Sequence, residues 1–366
     1  ILSIFTMLLN IDSNTTPIEA PIHREEREIK KVWYLAAPQN LNPSLRETST
    51  SSEDVTEGLQ TIPETSSTDN EEQQTKNSTS FWDPESVTID FRYFTTNFEQ
   101  DNLLIQPSIT GTLPNGDRLS LTSGFNRFQQ PEIDSIQNIP LQFDWEGKIA
   151  GLESDIGTGI DWFDRVTPAL SFRANSRVNI GERASLSFFV EHAPYKFNAK
   201  TVENEITNWR YGPNLFWQIS PDTSFFSLVR WGRYSDGNHE QQSFSRLEHT
   251  SGEFQLAANL FNWRYREDKE IESGYFSPED FLVINGELIW NKNIFSWLDC
   301  NLSTSVGRQR LQGQWDFVYG YGGRCTTTIA EDIFWDLDYR FSNVLGDNSN
   351  SRYNSETWRI ILRVQL

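Results

Sequence analysis

Residues 331–341 read EDIFWDLDYRF, and residues 356–366 read ETWRIILRVQL. In both stretches large apolar side chains alternate with polar ones, which is the two-residue period of a strand with one apolar and one polar face. The same pattern recurs along the chain from Phe81 onward, in sixteen runs. The predicted strands lie near 86–97, 103–112, 117–128, 136–145, 148–158, 168–177, 184–192, 206–219, 223–234, 242–249, 253–265, 281–290, 297–309, 314–327, 331–341 and 356–366.

The length and number of these runs favour a membrane barrel over a soluble sandwich. Many reach about 10–13 residues, whereas strands of soluble proteins usually have about five or six. Sixteen is an even number, as single-chain bacterial barrels require. Connections after even-numbered strands are mostly short, as at 113–116 and 146–147, and several after odd-numbered strands are long, at 193–205, 266–280 and 342–355. Short periplasmic turns and longer external loops produce this rhythm, so the sequence predicts an all-β, antiparallel up-and-down barrel surrounded by outer-membrane lipid.

The composition agrees with that fold class and excludes several others. Hydrophobic residues make up 37% of the 366-residue chain and the mean hydropathy is -0.56, which excludes a bundle of transmembrane helices. The formal net charge of -20 argues against a nucleic-acid partner, because phosphate contacts require a basic surface. The sequence contains no metal-ligand spacing, nucleotide-binding loop or nucleophile elbow, so we expect no metal, no cofactor and no enzymatic activity.

The N-terminal part of the chain differs from the predicted barrel. Ile1–Asn10 is apolar and about as long as the core of a signal peptide, although a short apolar segment of another domain would look the same. Arg24–Ala37 is compatible with one helix, so residues 1–46 are predicted to hold a signal remnant and a short linker helix. Residues 47–80 are acidic and rich in Ser and Thr, and they are predicted to be a disordered linker before the barrel at 81–366.

The polar faces of the predicted strands identify candidate lumen-lining residues. The inward carboxylates are Asp90, Asp144, Glu153, Asp155, Glu191, Glu287, Asp299, Asp316, Asp336 and Asp338. The inward cations are Arg92, Arg324, Arg340, Arg359 and Arg363. Two interpretations stay open: polar residues that simply face water, or an acidic conduit that favours neutral or cationic polymers and repels anions.

The two cysteines are predicted to face each other across one hairpin. A tight turn centred between Gln312 and Gly313 pairs residues whose numbers sum to 625, and Cys300 and Cys325 meet this condition. Directly opposed strand residues have Cβ atoms about 4.5–5.5 Å apart, and disulfides prefer roughly 3.5–4.5 Å. We therefore predict a disulfide on the outward face near the periplasmic end, with two unpaired buried cysteines as the alternative.

Three segments resemble a known family. RYSDGN at 233–238, SGYFSPEDF at 273–281 and YGPNLFWQIS at 211–220 are similar to the C-terminal barrel of the large bacterial exopolysaccharide export porins. That group includes the outer-membrane subunit of the cellulose synthase complex and its poly-N-acetylglucosamine counterpart. The resemblance covers about 130–366 and implies a channel that exports a polysaccharide. The family usually carries tetratricopeptide repeats before the barrel, and no 34-residue repeat occurs here, so a fragment and a chain without the array both remain open.

Other functions remain as alternatives to polysaccharide export. A sixteen-stranded barrel also suits a general solute porin, or a structural subunit of a larger envelope complex with periplasmic partners. An outer-membrane lipid hydrolase is the third candidate, because Ser245 and His249 lie four residues apart on one strand face. At the usual rise they are about 13 Å apart, which is too far for a nucleophile and its base.

Overall fold

The computed structural model describes residues 81–97, 99–345 and 352–366. The predictions for residues 1–46 and 47–80 lie outside this part of the chain and stay predictions. The strands are β1 (Asp83–Thr96), β2 (Asp101–Thr112), β3 (Arg118–Ser123), β4 (Phe125–Gln130), β5 (Ile133–Ile149), β6 (Leu152–Phe163), β7 (Ala169–Ile180), β8 (Ala184–Pro194), β9 (Thr207–Ser220), β10 (Thr223–Tyr234), β11 (His239–Ser251), β12 (Phe254–Tyr265), β13 (Phe281–Phe295), β14 (Leu298–Leu311), β15 (Gln314–Ala330), β16 (Ile333–Leu345) and β17 (Arg352–Gln365). Two short helices, α1 (Ala199–Glu203) and α2 (Glu270–Ser273), lie in the two longest connections of the described part.

The strands form one closed antiparallel sheet. Each strand pairs with its neighbours in sequence, and β17 pairs with β1 to close the ring. β3 and β4 form a single barrel strand, because both lie between β2 and β5 and only Gly124 separates them. A Cβ at Gly124 would lie 2.4 Å from the carbonyl oxygen of Ile105, so the close approach there requires glycine. The barrel thus has sixteen strands, which confirms the predicted fold class.

One predicted turn is wrong. The sequence placed the turn after the fourth strand at Glu146–Gly147, whereas β5 continues to Ile149 and the turn is formed by Ala150 and Gly151. Both turn residues have positive φ, 52° for Ala150 and 83° for Gly151. Positive φ at both central residues is required in one common class of two-residue hairpin turn. Gly147 instead lies within the strand.

The two faces of the barrel wall differ in character. Large apolar side chains point outward on nearly every strand and are exposed, for example Leu170, Phe317 and Trp335. A closed barrel leaves no unpaired strand edge, and an apolar outer surface is stable only in contact with lipid. Neither of the two helices in the described residues is long and apolar enough to cross a membrane.

The interior of one barrel end is filled by the two long connections, residues 195–206 and 266–280. Tyr195 and Tyr275 from these connections are fully buried against Trp263 and other aromatic side chains of β9–β13. On the opposite wall, buried side chains of α1 pack against β4 and β5, with Val202 in a cluster with Phe128, Ile136 and Ala199. We call residues 195–206 and 266–280 the loop cap.

Candidate functional site: the barrel lumen

The strand register places the predicted lumen-lining residues on the inward face of the wall. These residues are Asp90, Asp144, Glu153, Asp155, Glu191, Glu287, Asp299, Asp316, Asp336, Asp338, Arg340, Arg359 and Arg363. Their neighbours in the sequence, such as Ile89 and Trp335, point outward and are exposed. The carboxylates do not act as isolated negative charges, because most of them are close to an arginine.

Asp90 lies at the seam where the barrel closes. Its Oδ1 and Oδ2 accept hydrogen bonds from Nε and Nη2 of Arg359, each at 2.9 Å, and Arg92 Nη2 donates to Oδ2 at 3.0 Å. Arg359 belongs to the last strand and Asp90 to the first, so this bidentate ion pair joins the two ends of the sheet.

Asp336 and Asp338 extend this charged row onto β16. Asp336 Oδ2 accepts from Arg324 at 2.6 Å and from Arg363 at 2.8 Å. Asp338 is paired with Arg340, whose Nη2 lies 2.9 Å from Oδ2. Positive and negative groups therefore alternate around this part of the lumen.

The same pairing continues on the other walls of the lumen. Asp144 Oδ1 lies 2.8 Å from Arg173 Nη2. Glu287 Oε2 accepts from Arg246 Nη1 at 2.5 Å. Arg173 and Arg246 were not among the predicted inward cations, and each neutralises one of the predicted carboxylates.

Sequence reasoning missed many of the cations on the inward face. Among the described strands, the register adds Arg118, Arg173, Arg177, Arg210, Arg230, Arg246 and Lys148. It adds fewer carboxylates away from the strand ends, namely Glu146, Asp161, Glu240 and Glu248. The lumen wall is therefore more nearly balanced in charge than predicted. The same two-residue alternation that identified the carboxylates would have revealed these cations.

A buried polar network joins four neighbouring strands of the barrel wall beside the loop cap. Arg210 Nε donates to Glu240 Oε2 at 3.1 Å, and both side chains are almost completely buried. Glu240 also accepts from the hydroxyl of Tyr234 at 2.7 Å and from the indole of Trp263 at 2.7 Å. A carboxylate with three donors is well satisfied, so this network holds β9–β12 rigidly where the cap is seated.

Two of the segments that resemble exopolysaccharide porins contact each other. Asp236, in the RYSDGN turn, accepts hydrogen bonds from Ser273 Oγ at 2.7 Å and from the Tyr275 hydroxyl at 2.9 Å. Asn238 donates to the carbonyl of Glu267 at 2.8 Å. Burial raises the pKa of the Tyr275 phenol far above its ordinary value, and Asp236 raises it further, so the phenol stays protonated and acts as a donor. The turn thus anchors one half of the loop cap.

The two halves of the cap are joined by hydrogen bonds to backbone carbonyls. Asn198 Nδ2 donates to the carbonyl of Gly274 at 2.6 Å, and Lys200 Nζ donates to that of Ile271 at 2.7 Å. Asn198 also caps α1 by accepting from the backbone N–H of Thr201 at 2.9 Å. The cap therefore behaves as one unit.

A polar cavity of about 170 Å³ remains between the cap and the wall formed by β1–β9. Its lining combines carboxamides with paired charges and two aromatic rings. Its lining includes Arg92, Phe94, Asn102, Gln106, Asn126, Gln142, Asp144, Gly157, Asp161, Arg173, Lys196, Phe197 and Asn208. We call this space the lumen cavity.

The cysteines lie directly opposite each other on β14 and β15, and the structure joins them in a disulfide. Their Cα atoms are 4.1 Å apart. The connecting turn is Gln312–Gly313, with φ of 47° and 83°. Both cysteines are on the outward face, and Cys300 lies three residues after the two-residue turn 296–297, at the end of the barrel remote from the loop cap.

The residues considered for a hydrolase face away from the lumen. Ser245 Oγ is hydrogen-bonded to Ser227 Oγ at 3.0 Å, and His249 Nδ1 to Thr223 Oγ1 at 2.9 Å. Each therefore has its own partner on β10, and the structure does not bring Ser245 and His249 together. Within the described residues, no group of three or more His, Cys, Asp or Glu side chains is placed to hold a metal ion.

Comparison with known proteins gives structural relatives only. No protein-family model matches the chain. No curated protein sequence matches it either. Among solved structures, the chain is similar to "Bacterial polysaccharide outer membrane secretin", with a TM-score of 0.62 and 11% identity over 77% of this chain and 98% of that one. The Pseudomonas aeruginosa protein OccK7 (OpdD) has a TM-score of 0.45 and 9% identity over 78% of this chain and 98% of that one. This chain, with its closed sixteen-stranded barrel, apolar outer face and polar lumen, is an integral outer-membrane protein.

Proposed function

We propose that the chain is a passive outer-membrane channel that conducts or exports a polysaccharide. The observation that supports this proposal is the lumen wall, on which carboxylates and arginines alternate and neutralise each other. Such a wall offers many hydrogen-bond donors and acceptors without a strong net field. A polymer rich in hydroxyl groups exchanges hydrogen bonds along it and is not held by one dominant charge.

The structural relative with the higher TM-score is described as a polysaccharide outer-membrane secretin, and that description applies to the other protein. The description of that relative is consistent with the resemblance of residues 233–238 and 273–281 to exopolysaccharide export porins. Transport of this kind needs no covalent chemistry. The protein supplies a water-filled path, and the polymer moves along it through many weak contacts that form and break.

Reconstitution in planar bilayers tests the channel. Insertion of the purified chain should give stepwise conductance in KCl, and a neutral oligosaccharide added to one side should reduce the current reversibly. Liposomes that contain the protein should also release trapped oligosaccharide. Folded protein that inserts but neither conducts nor releases sugar would contradict the proposal and would leave a structural barrel subunit of an envelope complex.

A general porin for small solutes is the second candidate, and the loop cap favours it. The cap fills one end of the lumen with buried aromatic side chains, which narrows the passage. Liposome swelling with a series of sugars separates the two functions. If monosaccharides enter the liposomes and a six-unit oligosaccharide does not, the protein is a porin for small solutes. If the six-unit oligosaccharide also enters, the protein provides a path for a polymer.

A further inference from the structure

The lumen cavity has features of a binding site in addition to those of a passage. We propose that it binds one neutral, hydroxyl-rich sugar unit at a time, through its carboxamide side chains and against its aromatic rings. This inference rests on the proposed channel function and assigns the recognition step within it to this cavity. Its volume of about 170 Å³ is below the roughly 300–1,000 Å³ of sites for drug-sized ligands, so a single sugar unit suits it better than a folded segment of polymer.

Ion pairs neutralise charged groups that line the cavity. Arg173 Nη2 lies 2.8 Å from Asp144, and Lys196 Nζ lies 3.0 Å from Asp161 Oδ1. Asp161 also accepts from Asn138 Nδ2 at 2.5 Å. An anionic sugar would have to compete with these carboxylates for the same cations. A neutral sugar leaves the pairs intact, so the cavity favours a neutral unit.

Carboxamides supply the hydrogen-bonding groups that a neutral sugar needs. Five of them line the cavity, namely Asn102, Gln106, Asn126, Gln142 and Asn208. Asn126 is only 6% exposed, and its Oδ1 has no hydrogen-bond partner among the described residues. An unpaired buried amide oxygen is costly, and a sugar hydroxyl could satisfy it after a small rotation of the amide. Phe94 and Phe197 add apolar surface for the C–H face of the ring.

Glycine at position 157 keeps the cavity open. A Cβ there would lie 2.3 Å from Asp144 Oδ1 and 2.6 Å from Arg173 Nε. Because the glycine has no side chain, the ion pair lies flat against the wall directly over the strand. Alanine at this position would displace the pair toward the lumen and reduce the space for a sugar.

Current blockade by defined sugars tests the site in the full chain. The probes are maltohexaose, which is neutral, and the galacturonate hexamer, which is acidic. Maltohexaose should block at a concentration at least tenfold lower than the acidic hexamer. The double variant Asn126→Ala/Gln142→Ala should raise the half-blocking concentration of maltohexaose about tenfold, equivalent to about 1.4 kcal/mol. Gly157→Ala should also raise the half-blocking concentration of maltohexaose.

Asn301→Ala is the matched control for this experiment. Asn301 is also an inward carboxamide, but it is on β14, outside the lumen cavity, and donates to Asn291 Oδ1 at 2.6 Å. The half-blocking concentration of maltohexaose for this variant should stay within twofold of the value for the wild type. Equal blockade of the wild type and the double variant, or equal potency of the two hexamers, would overturn the proposed site while the channel function stands.

Equilibrium binding separates failure of the site from failure of the channel. Saturation-transfer NMR with maltohexaose and detergent-solubilised protein does not require conductance. Binding that is weakened in the double variant supports the site even if the wild type fails to conduct. Conductance without detectable maltohexaose binding rejects the site and leaves the channel.

Discussion

At Asp90, two guanidinium groups share one carboxylate that is only 8% exposed. Hydrogen bonds to charged groups are stronger than neutral ones, and a bidentate arginine adds a fixed geometry. Asp336 is in a similar position, between Arg324 and Arg363. The charged residues of the lumen therefore form local ion pairs, and removing one partner of a pair is expected to lower the stability of the barrel.

Replacing Asp90 with Asn should lower the stability of the barrel by about 1–3 kcal/mol, because Arg92 and Arg359 both lose the negative charge that they share and one of its two acceptor oxygens becomes an NH2 donor. The midpoint temperature at which the folded, fast-migrating band disappears on a gel measures this change. Asp316→Asn is the control, since Asp316 is also inward but forms no ion pair within the described residues. Equal midpoints for the two variants would contradict the structural role of the seam.

The disulfide between Cys300 and Cys325 should be present in protein isolated from an oxidising compartment. Mass spectrometry of an unreduced digest should detect the two cysteine peptides linked together. The Cys300→Ser/Cys325→Ser variant should lose little stability, because the residues are already held opposite each other by the hairpin. Two free thiols in the unreduced protein would argue against this register.

Among the elements, the loop cap differs from the strands because contacts between separate loops hold it. Its side chains reach the RYSDGN turn through Asp236, the β5 wall through α1, and each other through Asn198. The strands need no such contacts, because backbone hydrogen bonds to both neighbours define their positions. The cap is therefore the element most sensitive to the loss of a single side chain.

Asp236→Ala should loosen the half of the cap at 266–280. The substitution removes the acceptor of Ser273 Oγ and of the Tyr275 hydroxyl, and it leaves a buried phenol without that partner. Cleavage within 266–280 by a broad-specificity protease should become at least several-fold faster, and the channel should conduct more current. Glu272→Gln, at an exposed position in the same loop, should leave both unchanged. If the variant resists the protease as well as the wild type does, other contacts are enough to hold residues 266–280 in place.

For the whole molecule, the balance of inward charge is expected to govern which ions pass through the proposed channel. The chain has a net charge of -20, but arginines oppose many of the carboxylates that face the lumen. Charge on the outer surface and in loops is screened within about 8–10 Å at physiological salt, so the lumen groups dominate selectivity. We therefore expect only weak cation preference in the wild-type channel.

Asp336→Asn/Asp338→Asn should shift the channel toward anions. The double substitution removes two negative charges and leaves Arg324, Arg340 and Arg363 facing the lumen. The reversal potential across a KCl gradient reports this change directly. The control is Glu356→Gln, which alters an outward residue of β17 and should not move the potential. An unchanged potential in the double variant would mean that ions take a path away from β16.

The closure of the barrel also shows why part of the lumen could not be deduced from the sequence. Arg359 and Asp90 are 269 residues apart, and they meet only because β17 pairs with β1. No local pattern indicates which arginine will lie beside which carboxylate across that seam. The inward fold of the loop cap is equally non-local, because α1 packs on Phe128 and Ile136 from a distant hairpin.

By itself the sequence determined the sixteen strands, the two faces of each strand and the register of the hairpin that contains Cys300 and Cys325. These features are local, because the backbone alternates every two residues and a tight turn sets the pairing of the strands it connects. Only the tertiary structure decided which arginine lies beside each paired carboxylate of the lumen, that the two long connections fill one end, and that a polar cavity remains beside Asn126. Those features depend on the curvature and closure of the whole sheet, which bring together side chains that are far apart in the chain.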